Sequence, residues 1–159
     1  RSTLFPYTTL FRSRSKTVEQ NNTLEEEFKK ERESWKDKVI ELISMMKDNT
    51  KLSEAQVFQL SYRQQVQEKL AEYRILLDKR QGMLETQMTS RFRDYCLSYD
   101  IKLSSAEKNS FVSADCIALK RQVNMLKTQI MYFEECVKTL DNFGFAVRNK
   151  LEILSQQLI

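Results

Sequence analysis

Cations and aromatic rings alternate in one short stretch of the chain, Arg91-Phe-Arg-Asp-Tyr95. The surrounding block, residues 91–130, has seven basic and four acidic residues, a net charge of +3. Cations that follow a phosphate backbone, beside rings that stack on bases, are the combination that single-stranded nucleic acid binding uses. The candidate DNA-binding residues are Arg91, Arg93, Lys102 and Lys108, the last two from charge alone. A solvated helix face with aromatic residues on its buried seam is the alternative, and composition by itself favours that alternative.

The composition excludes several classes of function. The chain has no histidine, so neither a histidine-based triad nor a histidine-ligated metal exists in it. Its two glycines and one proline are too few for glycine-rich phosphate loops and for an all-β or doubly wound α/β fold. No apolar run reaches the roughly 18 residues of a membrane-spanning helix, so no membrane partner is expected. We therefore expect a helical protein that is not an enzyme and has no cofactor or metal.

Three cysteines lie twenty residues apart, at Cys96, Cys116 and Cys136. Their number is odd, and their spacing matches neither a CxxC motif nor a zinc site. The pattern predicts three reduced, mostly buried thiols in a cytosolic protein.

The first thirteen residues differ from the rest of the chain. They contain no acidic residue and the only proline, and residues 3–13 look like the in-frame translation of a sequencing-library adapter. We interpret 1–13 as a disordered artefact, with a natural disordered arm or a targeting peptide of the transit-peptide kind as the alternative, and 14–22 as a frayed N-terminus. Without 1–13 the formal net charge falls from +4 to +2, because Arg1 and Arg12 are the only charges there.

Residues 23–159 are expected to form a single helical domain. A capping box, Thr23-Leu-Glu-Glu26, predicts a first helix over 23–47, and Asp48-Asn-Thr50 predicts a break. A second helix is expected over 53–99, with Gly82 weakening it locally. The connector that follows is expected to contain a short helix from Ser104 or Ser105. Ser113 or Asp115 is the expected N-cap of the last helix.

The last helix has the strongest pattern in the chain, an apolar seam that steps by four and three residues over more than five heptads. The seam positions named as the helix or oligomer contact are Leu119, Val123, Leu126, Ile130, Phe133, Val137, Leu140 and Gly144. A 3.5-residue period favours left-handed supercoiling against other helices. The predicted fold is all-α, with long helices in an antiparallel coiled-coil-like hairpin, elongated and oligomerising.

Four segments resemble the UvsY-like recombination mediators of T4-like phages. They are Phe111-Val-Ser-Ala-Asp-Cys-Ile-Ala-Leu-Lys120, Phe143-Gly-Phe-Ala-Val-Arg148, Asp48-Asn-Thr-Lys-Leu52 and Asp94-Tyr95. Their order and spacing are compatible with the family over roughly residues 23–155. The family's DNA contact is a Lys-x-Arg pair, whose Arg falls on Arg91 and whose Lys falls on Thr89, so Arg93 is the substitute cation here.

The resemblance implies a function. UvsY-like proteins are helical, ring-shaped homo-oligomers that bind single-stranded DNA and do not hydrolyse nucleotides. They contact a RecA-like recombinase and the single-strand-binding protein, and they help the recombinase to replace that protein on the strand. By this resemblance the chain is expected to be a recombination mediator in the cytoplasm of an infected host cell. A structural or tethering coiled coil without a nucleic acid partner is the alternative.

Two interpretations of Gly144 also stay open from the sequence. One is a helix contact so close that it excludes a side chain, and the other is a helix end followed by a short tail.

Overall fold

In a computed structural model, residues 7–97 and 102–157 of the chain are described, with side chains from residue 19 onward. The described residues form four α-helices, one short 3-10 helix and no strand. The α-helices are α1 (Tyr7–Met46), α2 (Leu52–Leu97), α3 (Ser105–Asp115) and α4 (Ile117–Gln156), and the 3-10 helix at Asn49–Lys51 joins α1 to α2. The predicted all-α class is confirmed.

Helix α1 begins earlier than the sequence predicts, at Tyr7 instead of Thr23. Thr23 is not an N-cap, because its hydroxyl donates to the carbonyl of Glu19 one turn earlier, at 3.0 Å. The turn before Thr23 is held by α4: Asn21 is buried, donates to the carbonyl of Ala118 and accepts from the amide of Gln122. Tertiary hydrogen bonds thus outweigh the local capping signal. Residues 7–22, for which disorder or fraying was predicted, belong to α1 in the structure, and residues 1–6 lie outside the described part.

The break after α1 lies where it was predicted. Asp48 caps the 3-10 helix, since its carboxylate accepts from the backbone N–H of Thr50 at 3.0 Å and from the Thr50 hydroxyl at 2.6 Å. Helix α2 then runs without interruption through Gly82. Its predicted end at Tyr99 lies outside the described residues.

Helix α3 begins at Ser105 with Ser104 as its N-cap, so the predicted short helix is confirmed. A capping box stabilises this start. The Ser104 hydroxyl accepts from the backbone N–H of Glu107, and the Glu107 carboxylate accepts from the backbone N–H of Ser104. The expected caps of the last helix are wrong, because Ser113 and Asp115 both lie inside α3. Cys116 alone separates α3 from α4, and its backbone N–H donates to the carbonyl of Val112 as in a continuous helix.

The chain divides into two compact units, each of which takes residues from α1, α2 and α4. The first unit comprises the described residues up to Glu27 together with Leu76–Lys127 and includes α3. The second unit comprises Phe28–Ile75 and the described residues from Thr128 onward. Buried apolar residues of the first unit are Val112, Cys116, Val123 and Leu126.

In the second unit, aromatic side chains from three helices form the centre of the core. Phe133 of α4 is fully buried, and its ring lies 6.0 Å from Trp35 of α1 and 5.7 Å from Tyr73 of α2. Phe28 lies edge-on to the Tyr73 ring at 5.4 Å. Such ring pairs add to the stability gained from burial alone.

Contacts between α2 and α4 in this unit run in opposite order along the two helices. Gln59 donates to the carbonyl of Leu140, and further along α2 Arg74 donates to Glu134 at 2.9 Å.

A polar layer crosses the second unit next to this aromatic core. Gln129 is completely buried; it accepts from Arg32 at 2.6 Å and donates to Glu31 at 2.9 Å. The hydroxyl of Tyr73 also donates to Glu31. The amide and the two half-buried charges of α1 therefore satisfy one another, as buried polar groups must.

The predicted seam of α4 faces the interior of both units. Val123, Leu126, Ile130, Phe133, Leu140 and Gly144 are buried, and Leu119 and Val137 are half-buried. Gly144 lies in the middle of α4, so the interpretation of a helix end is wrong. A Cβ at this position would lie 3.1 Å from the Gln59 side chain, which is the close helix contact of the other interpretation.

Candidate nucleic-acid interface

The candidate site lies in the first unit, where the end of α2 meets α3. Arg91 is half-buried there, and its guanidinium lies 4.0 Å from Asp115 and 3.9 Å from Asp94. The hydroxyl of Tyr95 donates to the same Asp115 carboxylate at 2.9 Å. Arg91 is thus paired with two carboxylates of its own chain, which lowers its attraction for a phosphate.

An aromatic stack joins the two helices beside this ion pair. The rings of Tyr95 on α2 and Phe111 on α3 are stacked, with centroids 5.7 Å apart and planes 26° apart. Phe111 remains 47% exposed and Phe92 remains 36% exposed. Open ring surface of this kind is what an unpaired base requires for stacking.

The structure does not bring Arg91 and Arg93 together. Side chains two positions apart on an α-helix point in directions that differ by about 200°, so Arg91 and Arg93 leave α2 on opposite sides. Arg91 faces Asp115, whereas Arg93 is exposed and forms no ion pair with any residue that the structure describes. The two candidates therefore have different surroundings.

One of the two candidate lysines, Lys108 of α3, reaches the part of α2 that carries Arg93. The ammonium of Lys108 donates to the Cys96 thiol at 3.6 Å. Cys96 lies three residues after Arg93, which makes the two positions neighbours on the helix surface. Lys102 is exposed in the segment before α3. Of the four candidates, Arg93, Lys102 and Lys108 are thus free of carboxylate partners among the described residues, and Arg91 is not.

Two pKa shifts accompany this site. Hydrogen bonds from Ser104 hold the pKa of the Glu107 carboxyl below its usual value, so the capping box keeps a charge that favours the N-terminus of α3. Burial, with Asp115 close by, raises the pKa of the Cys116 thiol, which keeps it in the neutral form. Cys116 and Cys136 are buried as expected, but Cys96 is exposed.

A second set of exposed cationic and aromatic residues lies in the second unit and was not among the candidates. The guanidinium of Arg148 lies over the Phe145 ring, 4.6 Å from its centroid, and Phe145 is 57% exposed. The sequence gives one indication of this set. Phe145 lies off the apolar seam of α4, and it belongs to the segment Phe143–Arg148 that resembles the mediators. Nothing in the sequence alone pairs that ring with the cation.

In the parts of the chain that the structure describes, no helix is long and apolar enough to cross a bilayer. Within the same residues, no three cysteine or carboxylate side chains approach one another closely enough to hold a metal ion.

No protein-family model, curated protein or solved structure matches the chain.

Proposed function

We propose that this chain is a recombination mediator that binds single-stranded DNA and helps a RecA-like recombinase to replace the single-strand-binding protein. The observation that carries the proposal is a set of cations without carboxylate partners among the described residues, Arg93, Lys102 and Lys108, of which Lys108 reaches Cys96 three residues after Arg93. Two partly exposed rings, Phe92 of α2 and Phe111 of α3, belong to the same unit. These cations lack carboxylate partners among the described residues, so their charge is available to phosphates.

One such set of cations binds a strand weakly, because three cations release few counterions. Several copies on one strand would multiply the effect, since each further contact becomes intramolecular. We therefore include a homo-oligomer, and with it a closed ring, in the proposal. The large apolar side chains that remain exposed, such as Ile75 at 72% and Met131 at 65%, support self-association.

The fold proposed for each copy pairs α2 with α4 as an antiparallel, coiled-coil-like hairpin. The opposite order of the contacts from Gln59 and Arg74 supports this arrangement.

Mediation needs no chemical step by this chain. A protein that binds the complex of recombinase and strand better than the competing complex shifts the equilibrium toward the recombinase. Contacts with the recombinase and with the single-strand-binding protein follow from the family resemblance, as does the cytoplasm of an infected host cell.

A structural or tethering coiled coil without nucleic acid is the second candidate. The ion pairs of Arg91 with Asp94 and Asp115 favour it, because they give this arginine a role inside the fold. The mediator and the coiled coil differ in one testable property, which is whether Arg93, Lys102 and Lys108 bind single-stranded DNA.

Fluorescence anisotropy with a labelled single-stranded oligonucleotide tests the proposal. The titration compares two salt concentrations, with a duplex of the same length as the control. We expect salt-sensitive binding that favours the single strand, weakened in the double variant Arg91→Ala, Arg93→Ala with helicity unchanged. Arg93→Ala alone should account for most of that loss and lower the salt slope by about one, whereas Arg91→Ala alone should change it less.

Absence of binding at low salt would leave the coiled-coil candidate. Equal affinity of the double variant and the unaltered chain would exclude the site but not the function. Mediation itself is measured as the rate at which a RecA-like recombinase assembles on strands covered by single-strand-binding protein, with and without this chain.

A further inference from the structure

A groove in the second unit is lined by an aromatic ring, an exposed leucine and two arginines. It lies between α2 and α4 and has a volume of about 510 Å³. Its lining residues are Gln56, Gln59, Leu60, Arg63, Asp141, Gly144, Phe145 and Arg148.

The wall formed by α4 carries an exposed ring and a cation. Phe145 is 57% exposed, and the Arg148 guanidinium lies over its ring. Arg148 donates through Nε to the carbonyl of Gly144 at 3.3 Å, which fixes the guanidinium beside the ring. No described carboxylate pairs with Arg148, so its outer N–H groups can donate to the oxygens of a phosphate.

Gly144 and Gln59 line the groove where α2 and α4 approach each other closely. A Cβ at residue 144 would lie 3.1 Å from the Gln59 side chain, so a larger residue would crowd this part of the lining. Gln59 is itself fixed, because its amide donates to the carbonyl of Leu140 at 2.9 Å.

The opposite wall is apolar with polar edges. Leu60 of α2 is 58% exposed, an open apolar side chain that faces the same groove as Phe145. Arg63 pairs with Asp141 at 2.6 Å through Nε, which neutralises the one carboxylate in the lining. Gln56 supplies an amide that can hydrogen-bond to the edge of a base.

We infer that this groove binds one unpaired nucleotide of a single strand, with the base against Phe145 and Leu60 and the phosphate on Arg148. The inference rests on the proposed function and adds to it a contact that lies outside the 91–130 block. Stacking on an aromatic ring and a cation at the phosphate are together the usual basis of strand binding without sequence preference. In this respect Arg148 is better suited than Arg91, which is paired with two aspartates.

The test uses two probes of equal length and charge: labelled oligothymidylate, and a labelled chain of abasic sites that keeps the phosphates but has no bases. We expect the unaltered chain to bind oligothymidylate more tightly than the abasic probe. Phe145→Ala should weaken oligothymidylate binding about tenfold, within the range of one lost stacking contact, and leave the abasic probe nearly unchanged. Arg148→Gln should weaken both probes and lower the salt slope by about one.

Matched variants separate the contact from the fold. Asn149→Ala removes an exposed polar side chain of α4 that lies next to Arg148 in sequence but outside the groove lining, and it should leave both affinities unchanged. Phe145→Trp keeps a ring and should retain the preference for bases. Because Phe145 is mostly exposed, circular dichroism should show the same helicity for all variants.

The outcomes separate this inference from the function on which it rests. If the unaltered chain binds neither probe at low salt, the proposed function fails and the groove assignment fails with it. If it binds oligothymidylate and Phe145→Ala keeps the full preference for bases, only the groove assignment is overturned.

Discussion

Gln59 of α2 lies so close to Gly144 of α4 that a Cβ at residue 144 would be 3.1 Å from the Gln59 side chain, a tight contact. The Gln59 amide is buried and donates to the carbonyl of Leu140, so it cannot easily move aside. The glycine is thus required by a neighbour from another helix and not by its own backbone, whose φ is negative.

Gly144→Ala should therefore lower the free energy of unfolding. The gain of about 1 kcal/mol in helix propensity is outweighed by an overpacking cost of about 1–3 kcal/mol, because the Cβ would lie 3.1 Å from Gln59. Urea denaturation followed by circular dichroism measures the difference. In a Gln59→Ala background the same substitution should become neutral or stabilising; an equal loss in both backgrounds would contradict the contact.

Gly82→Ala should have the opposite sign. Gly82 lies inside α2, is exposed, and nothing lies within 4 Å of the position that a Cβ would take. Only the propensity gain of about 1 kcal/mol remains, so the midpoint of urea denaturation should rise. A fall in that midpoint would show that Gly82 has a contact that the described residues do not supply.

Leu126→Ala should destabilise the chain strongly. Leu126 is 1% exposed in the core of the first unit, so its truncation removes buried apolar surface and leaves a cavity, at a cost of about 2–5 kcal/mol. Val137→Ala, at a half-buried position of the same seam, should cost about 1 kcal/mol. Denaturation gives the stabilities, and sedimentation velocity shows whether either variant also changes the size of the assembly.

Stability should fall at high pH, in part through Tyr73. Burial raises the pKa of Tyr73, and its hydrogen bond to the Glu31 carboxylate raises the pKa further. Below the unfolded pKa of about 10, the phenol is neutral in both states and its contribution to stability is complete. As pH rises above that value the unfolded phenol ionises first, so the free energy of unfolding falls.

Denaturation at pH values from about 9 to 11 measures this fall. Tyr73→Phe should reduce it without removing it, because burial also raises the pKa of Tyr132. An identical pH dependence in the variant would contradict the linkage.

The helices could be predicted from the sequence because their signals are local. The break at Asp48, the short helix after Ser104 and the apolar seam of α4 each depend on residues within a few positions of one another. The signals that failed depend on distant partners. Thr23 resembles a cap, but Asn21 is held in the helix by Ala118 and Gln122 of α4.

The candidate site shows the same division. Charge and aromatic content predicted the 91–130 block, and exposed cations do occur there. The sequence did not separate Arg91 from Arg93, because the aspartate that distinguishes them, Asp115, lies on another helix. The groove beside Phe145 and Arg148 likewise depends on Leu60 and Arg63, more than eighty residues earlier in the chain.

The polar layer around Gln129 has a consequence for how the helices align. A heptad seam alone tolerates sliding by one repeat, about 10 Å along the axis, because each apolar residue is replaced by another. Sliding α4 so that Cys136 took the place of Gln129 would leave Glu31 and Arg32 without their amide partner, at the cost of unsatisfied charged groups. Sliding it the other way would take Gln122 away from Asn21. Two buried amides thus select one alignment from several that the apolar pattern would accept.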